Sequence, residues 1–136
     1  MKSANDLDGL PLLKAFKAAQ ESSFDRTGGN NDYVRVNSED KAVLADISGA
    51  GRITRIWITI ASPDLYILRN CVLRMYWDGE SAPSVESPVG DFFGVGFANY
   101  RHYTSIPLGM SSGGFYSYFP MPFSKGARIE IENQSS

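Results

Sequence analysis

Residues 73–94 read LRMYWDGESAPSVESPVGDFFG, and this stretch decides the fold class. The run from Val72 to Trp77 is built of β-branched, aromatic and large apolar residues, the composition of a strand. Asp78-Gly79 suits positive φ and turns the chain. Residues 84–89, with Pro83 before them and Pro88 within, read as an edge or irregular strand, because proline cannot donate to a ladder. The stretch closes on Asp91-Phe92-Phe93-Gly94, which has more aromatic and carboxylate character than a loop needs. It is either a buried turn, with Asp91 capping backbone N–H groups and both phenylalanines in the core, or part of a binding pocket.

Strands continue on both sides. Residues 52–60, RITRIWITI, alternate: Ile56, Ile58 and Ile60 share one face, Arg55, Trp57 and Thr59 the other. Trp57 then either packs under another element or offers a flat ring to sugar C–H groups. Upstream, residues 33–36 and 41–47 read as strands, the second entering the turn Ser48-Gly49-Ala50-Gly51. Downstream, residues 95–103 form a loop with three aromatics and the single histidine, His102. With no histidine or cysteine near it in sequence, His102 is a weak metal ligand and reads as a hydrogen-bonded or exposed side chain. Residues 104–108 and 115–119 are further strands, the latter stopped by Pro120-Met121-Pro122. Residues 127–132 alternate most cleanly, with Ala127, Ile129 and Ile131 inward and Arg128, Glu130 and Glu132 solvated.

Ahead of these strands, Leu10, Leu13, Phe16 and Lys17 fall at helical spacing and Pro11 suits a first turn, which predicts one amphipathic helix over residues 10–20. Residues 22–32 are polar and glycine-rich, a loop. The chain thus divides into an N-terminal helix and loop, 1–32, and a sandwich, 33–136. About eight short strands with Gly/Pro turns predict an all-β fold, an antiparallel jelly-roll-type β-sandwich with one short N-terminal helix.

The chain has 136 residues, enough for one domain. A net charge of −2 gives no basic field for nucleic acid or an acidic membrane. No apolar run is long enough to span a bilayer. The single cysteine, Cys71, excludes an internal disulfide and reads as a small buried hydrophobe. The N-terminus lacks the apolar core of a signal peptide, so the chain as given reads as cytoplasmic, with export of a longer precursor left open.

Several motifs occur together and in order: Ser22-Ser23-Phe24-Asp25-Arg26-Thr27-Gly28-Gly29-Asn30, then residues 49–57 (GAGRITRIW), then Tyr76-Trp77-Asp78-Gly79-Glu80 with residues 83–86, then Asp91-Phe92-Phe93-Gly94, residues 118–123 (YFPMPF) and residues 129–134 (IEIENQ). On these the chain resembles domain-of-unknown-function family 2961, grouped as glycoside hydrolase family 172. The resemblance covers nearly the whole chain. It implies action on furanoside linkages such as α-fructofuranose and arabinofuranose, and a double jelly-roll protomer assembling as a trimer, similar in shape to some capsid proteins. It also implies a second jelly roll beyond residue 136 that carries the nucleophile and acid/base glutamates. No catalytic residue, metal or cofactor is therefore expected here. Arg26, Trp57, Asp91, Phe92 and Phe93 are expected to line the substrate pocket, with a carbohydrate as ligand and copies of the chain as partners. Read from the residues, Glu80, Glu86 and Asp91 are the carboxylates clustered near aromatics. Glycoside hydrolysis needs two carboxyls roughly 5–5.5 Å apart for retention or roughly 6.5–9.5 Å for inversion. Two readings follow: the N-terminal portion of a furanoside hydrolase, inactive alone, or a non-catalytic carbohydrate-binding or capsid-like jelly roll.

Overall fold

A computed structural model describes Gly9 and residues 11–136. Met1 to Asp6, on which the leader reading rests, lie outside the described residues, and so does Leu10. Among the described residues, ten strands and two one-turn helices follow in order: β1 (Lys41–Ser48), β2 (Gly51–Ile53), β3 (Ile56–Thr59), α1 (Ile67–Asn70), β4 (Cys71–Trp77), β5 (Val85–Pro88), α2 (Val89–Phe92), β6 (Tyr103–Thr104), β7 (Leu108–Ser111), β8 (Gly114–Ser117), β9 (Met121–Phe123) and β10 (Gly126–Asn133).

They form a four-stranded sheet β1-β10-β4-β5, a two-stranded sheet β2-β9 and a four-stranded sheet β3-β8-β7-β6. All pairings are antiparallel. The pairs β1·β10, β2·β9 and β3·β8 are nested, so one antiparallel ribbon runs from the first large sheet through the small one into the second. That wrapped ribbon makes the sandwich a jelly roll. The core lies between the large sheets. Leu73, Met75, Ile129 and Ile131 face inward from the first, and Met110 and Phe115 from the second, each at most 8% exposed.

The outer face of the first sheet is charged. Arg74 bridges Glu86 at 2.6 Å and also binds Glu132. The Tyr76 hydroxyl donates to Glu130 at 2.8 Å, and Arg128 reaches Asp46 at 3.1 Å. Arg74 holds the Glu132 carboxyl below the ordinary carboxylate range, and its hydrogen bond to Glu86, then that to Glu132, raises its own pKa.

Four expectations are corrected. The strand expected over 104–108 is broken, because β6 ends at Thr104 and β7 begins at Leu108. Residues 11–20 carry no helix. Leu12, Leu13 and Phe16 are 65%, 103% and 68% exposed, so among the described residues nothing packs on the apolar stripe, and a helix of about a dozen residues is marginal without such packing. Residues 52–60 are not one strand: Thr54 and Arg55 form the corner at which the chain leaves the small sheet for the second large one. Residues 33–36 run irregularly beside the first sheet, where the Asn133 side-chain amide donates to the Val36 carbonyl at 3.1 Å.

Candidate binding site

The nominated residues come from three parts of the fold. Arg26 lies in an exposed loop organised around Asp25. The Asp25 carboxylate accepts from the Thr27 backbone N–H at 2.9 Å, the Thr27 hydroxyl at 2.7 Å and the Asn31 N–H at 3.1 Å. These bonds, the Thr27 hydroxyl first, lower the Asp25 pKa. The loop therefore carries its own anion inside its own ring of N–H groups. Arg26 is turned out of that ring, its guanidinium 4.8 Å over the Phe24 ring.

Asp91, Phe92 and Phe93 sit at the end of β5, where the chain turns through α2. Phe93 is fully buried and packs on Phe115 with centroids 5.5 Å apart. Phe92 stands edge-on to it at 4.9 Å. Asp91 faces out and pairs with Arg69 of α1. Gly90 allows the two helices this approach: a Cβ there would stand 2.6 Å from the Val95 carbonyl oxygen and 3.0 Å from the Leu68 Cβ. The Val95 N–H donates to the Gly90 carbonyl at 2.7 Å, drawing the next loop against α2.

That loop borders an open concavity of about 500 Å³, lined among others by Phe97, Asn99, Arg101, His102 and Tyr103. Gly96, also in its lining, has the Asp91 Oδ1 3.9 Å from where its Cβ would be. Asp91 therefore stands at the rim of the concavity. The Tyr103 hydroxyl donates to the Phe93 carbonyl and the Tyr100 hydroxyl to the Ile60 carbonyl at 3.1 Å, tying the loop to the sandwich. The polar residues here, Asn99, Arg101 and His102, went unnominated from sequence. Their signal was the density of aromatics around a lone histidine, which by itself names no chemistry.

Trp57 does not join this group. It is on the outer face of β3, whereas Phe115, on which Phe93 packs, is on the inner face of the same sheet. The sheet backbone separates Trp57 from Phe93, so the five residues do not line one pocket.

The carboxylates nearest the aromatics are each bound within the fold. Glu80 accepts from the Ser84 hydroxyl at 2.5 Å and from the Trp77 N–H at 3.4 Å. Glu86 is held by Arg74 and Asp91 by Arg69. Asp78 accepts from the backbone N–H groups of Ser124, Lys125 and Gly126 at 2.8, 2.6 and 3.2 Å. Those bonds, Lys125 first, lower its pKa. Among the described residues no group of three or more histidine, cysteine or acidic side chains is placed to hold a metal ion, and no helix is long and apolar enough to cross a membrane.

Comparison with known proteins places these features in a family. A family model described as GH172 domain-like matches residues 28–136, which takes in every nominated residue except Arg26. No curated protein matches the chain.

Proposed function

The chain belongs to the GH172 domain-like family, and from that membership we propose that it is the N-terminal jelly-roll portion of a glycoside hydrolase acting on furanosides, which supplies pocket wall and assembly surface and is inactive alone. The observation that carries the second half of this reading is the engagement of its carboxylates. A glycosidase needs one carboxyl free to protonate the leaving oxygen and another free to attack the anomeric carbon or activate water. Glu80, Glu86 and Asp91 each have a partner within the fold. A carboxyl already engaged in this way is not free for either role.

The concavity beside Asp91 is the surface this portion contributes. Asn99, Arg101 and His102 offer donors to sugar hydroxyls, and Asp91 an acceptor. Phe92 and Phe93 hold the wall from behind. Catalytic carboxylates come from a second jelly roll, and further copies complete the assembly.

The test is direct. Purified residues 1–136 incubated with aryl α-fructofuranoside or aryl α-L-arabinofuranoside release no aryl group above buffer. Joined in cis to a second jelly roll of the family, the same chain supports turnover, and Arg101→Ala then weakens kcat/KM. Release by residues 1–136 alone, abolished by Glu80→Gln, Glu86→Gln or Asp91→Asn, overturns the inactive-alone reading.

A further inference from the structure

The outer face of the β3-β8-β7-β6 sheet differs in kind from the charged outer face of the other large sheet. By the strand register, its side chains are Trp57 and Thr59 on β3, Tyr116 on β8, Ser111 on β7 and Thr104 on β6, with Gly114 and Gly109 between them. Among the described residues, these paired positions carry no aliphatic side chain and no lysine or arginine. Trp57 lies across Gly114: a Cβ on that glycine would stand 2.8 Å from the indole Nε1 and 3.1 Å from Cε2. Tyr116, directly across from Trp57, lies across Gly109 in the same manner, its Cζ 2.6 Å from such a Cβ. Its hydroxyl donates to the Ser105 carbonyl at 3.2 Å, which holds the ring down. The Tyr118 ring continues the row, 5.4 Å from Tyr116. Both glycines are buried although they face outward, because the rings cover them. A ring laid on the sheet turns a face to solvent, and Trp57 remains 56% exposed and Tyr118 46%.

We propose that this face is a carbohydrate-stacking platform, on which Trp57, Tyr116 and Tyr118 receive the C–H faces of successive sugar rings while Thr59, Thr104 and Ser111 bind hydroxyls at the edge. Flat aromatics ringed by short hydroxyl side chains match a sugar, which has an apolar face and a polar rim. A stable protein partner would be met by a larger apolar centre, and a nucleic acid strand by cations along its phosphates. None of these platform residues lines the concavity beside Asp91. It rests on the furanoside reading only for the identity of the sugar.

The experiment titrates residues 1–136 with fructo-oligosaccharides, arabino-oligosaccharides and cello-oligosaccharides, read by saturation-transfer NMR and calorimetry. The furanose oligomers bind, and Trp57→Ala weakens them about tenfold, as the loss of one stacked ring implies. Gly114→Ala also weakens them, because the added methyl lifts the indole while every aromatic stays in place. Leu65→Ala, at an exposed site ahead of α1, changes nothing. Circular dichroism of each variant confirms the fold. Trp57-dependent binding of the cello-oligosaccharides alone keeps the platform and removes the furanoside reading. Absence of binding by the wild type up to about 10 mM sugar, or binding indifferent to Trp57→Ala, overturns the platform. So does a Trp57→Ala variant that changes sedimentation but not sugar binding, since the face would then be a protein contact.

Discussion

Two aromatic residues from the same set of motifs have opposite energetic roles. Phe93 is fully buried against Phe92 and Phe115, so Phe93→Ala is expected to cost about 3–5 kcal/mol of stability, the usual toll of an emptied phenylalanine site. Trp57→Ala, on a half-open surface, is expected to shift the urea midpoint far less. Paired denaturation curves check the contrast. Asp25, Asp78 and Glu132 all have pKa values lowered by native hydrogen bonds or an ion pair. A folded pKa below the unfolded one contributes stability that is fully present above the unfolded value, about 4, and is lost as pH falls through the folded value. Acid unfolding is therefore expected to steepen below about pH 4. Asp78→Asn, which keeps an acceptor and tolerates the positive φ of 55° at this turn, should flatten that slope. A slope unchanged in Asp78→Asn would contradict the assignment. Cys71, the first residue of β4, is buried, and burial pushes its thiol up to about 11, so it should resist alkylation until the chain unfolds.

At the scale of elements, the contact between α1 and α2 decides where Asp91 stands. Neither helix is longer than one turn, and neither has a side-chain cap, so packing and not propensity holds them. Gly90 is the point of closest approach, and the atoms a methyl would meet are mainly backbone. Gly90→Ala is expected to lower stability by about 1–3 kcal/mol, the cost of overpacking. It should also separate Asp91 from Arg69, weakening any ligand of the concavity. Gly96→Ala meets only ordinary contact at 3.9 Å and should be near neutral. Thermal midpoints of the two variants distinguish a specific close approach from a general sensitivity to glycine replacement.

For the whole molecule, the exposed apolar residues are the dominant unbalanced feature. Leu12, Leu13, Phe16, Phe24, Tyr33 and Val34 are all at least half exposed within one irregular segment. Clustered exposed apolar groups on a soluble chain mark contact surfaces. Residues 1–136 are expected to self-associate with rising concentration in sedimentation velocity. The triple change Leu12→Ser, Leu13→Ser and Phe16→Ser should shift the profile toward the monomer without altering the sandwich. A monomeric profile for the wild type across the whole concentration range would refute this.

The local pattern of residues by itself determined the all-β class, the inward faces of β3 and β10, and the turn at Asp78-Gly79. Period-two patterning and turn chemistry are written into neighbouring residues, and each pattern survives whatever the strand pairs with. The apolar spacing of residues 10–20 is as real as these, yet residues 11–20 form no helix, because a stripe becomes a helix only where another surface covers it. The corner at Thr54 and Arg55 was equally hidden, since continuous alternation does not say which sheet each half joins. The same limit governed the site. The sequence marked Trp57, Asp91 and Phe93 as notable together, but only the wrapped ribbon put a sheet between Trp57 and Phe93. It was also the fold that laid Trp57 on Gly114 and Tyr116 on Gly109. Trp57 on β3 and Gly114 on β8 are far apart in the chain, whereas Tyr116 and Gly109 belong to the consecutive strands β8 and β7; both contacts are a property of register, which alternation alone does not encode.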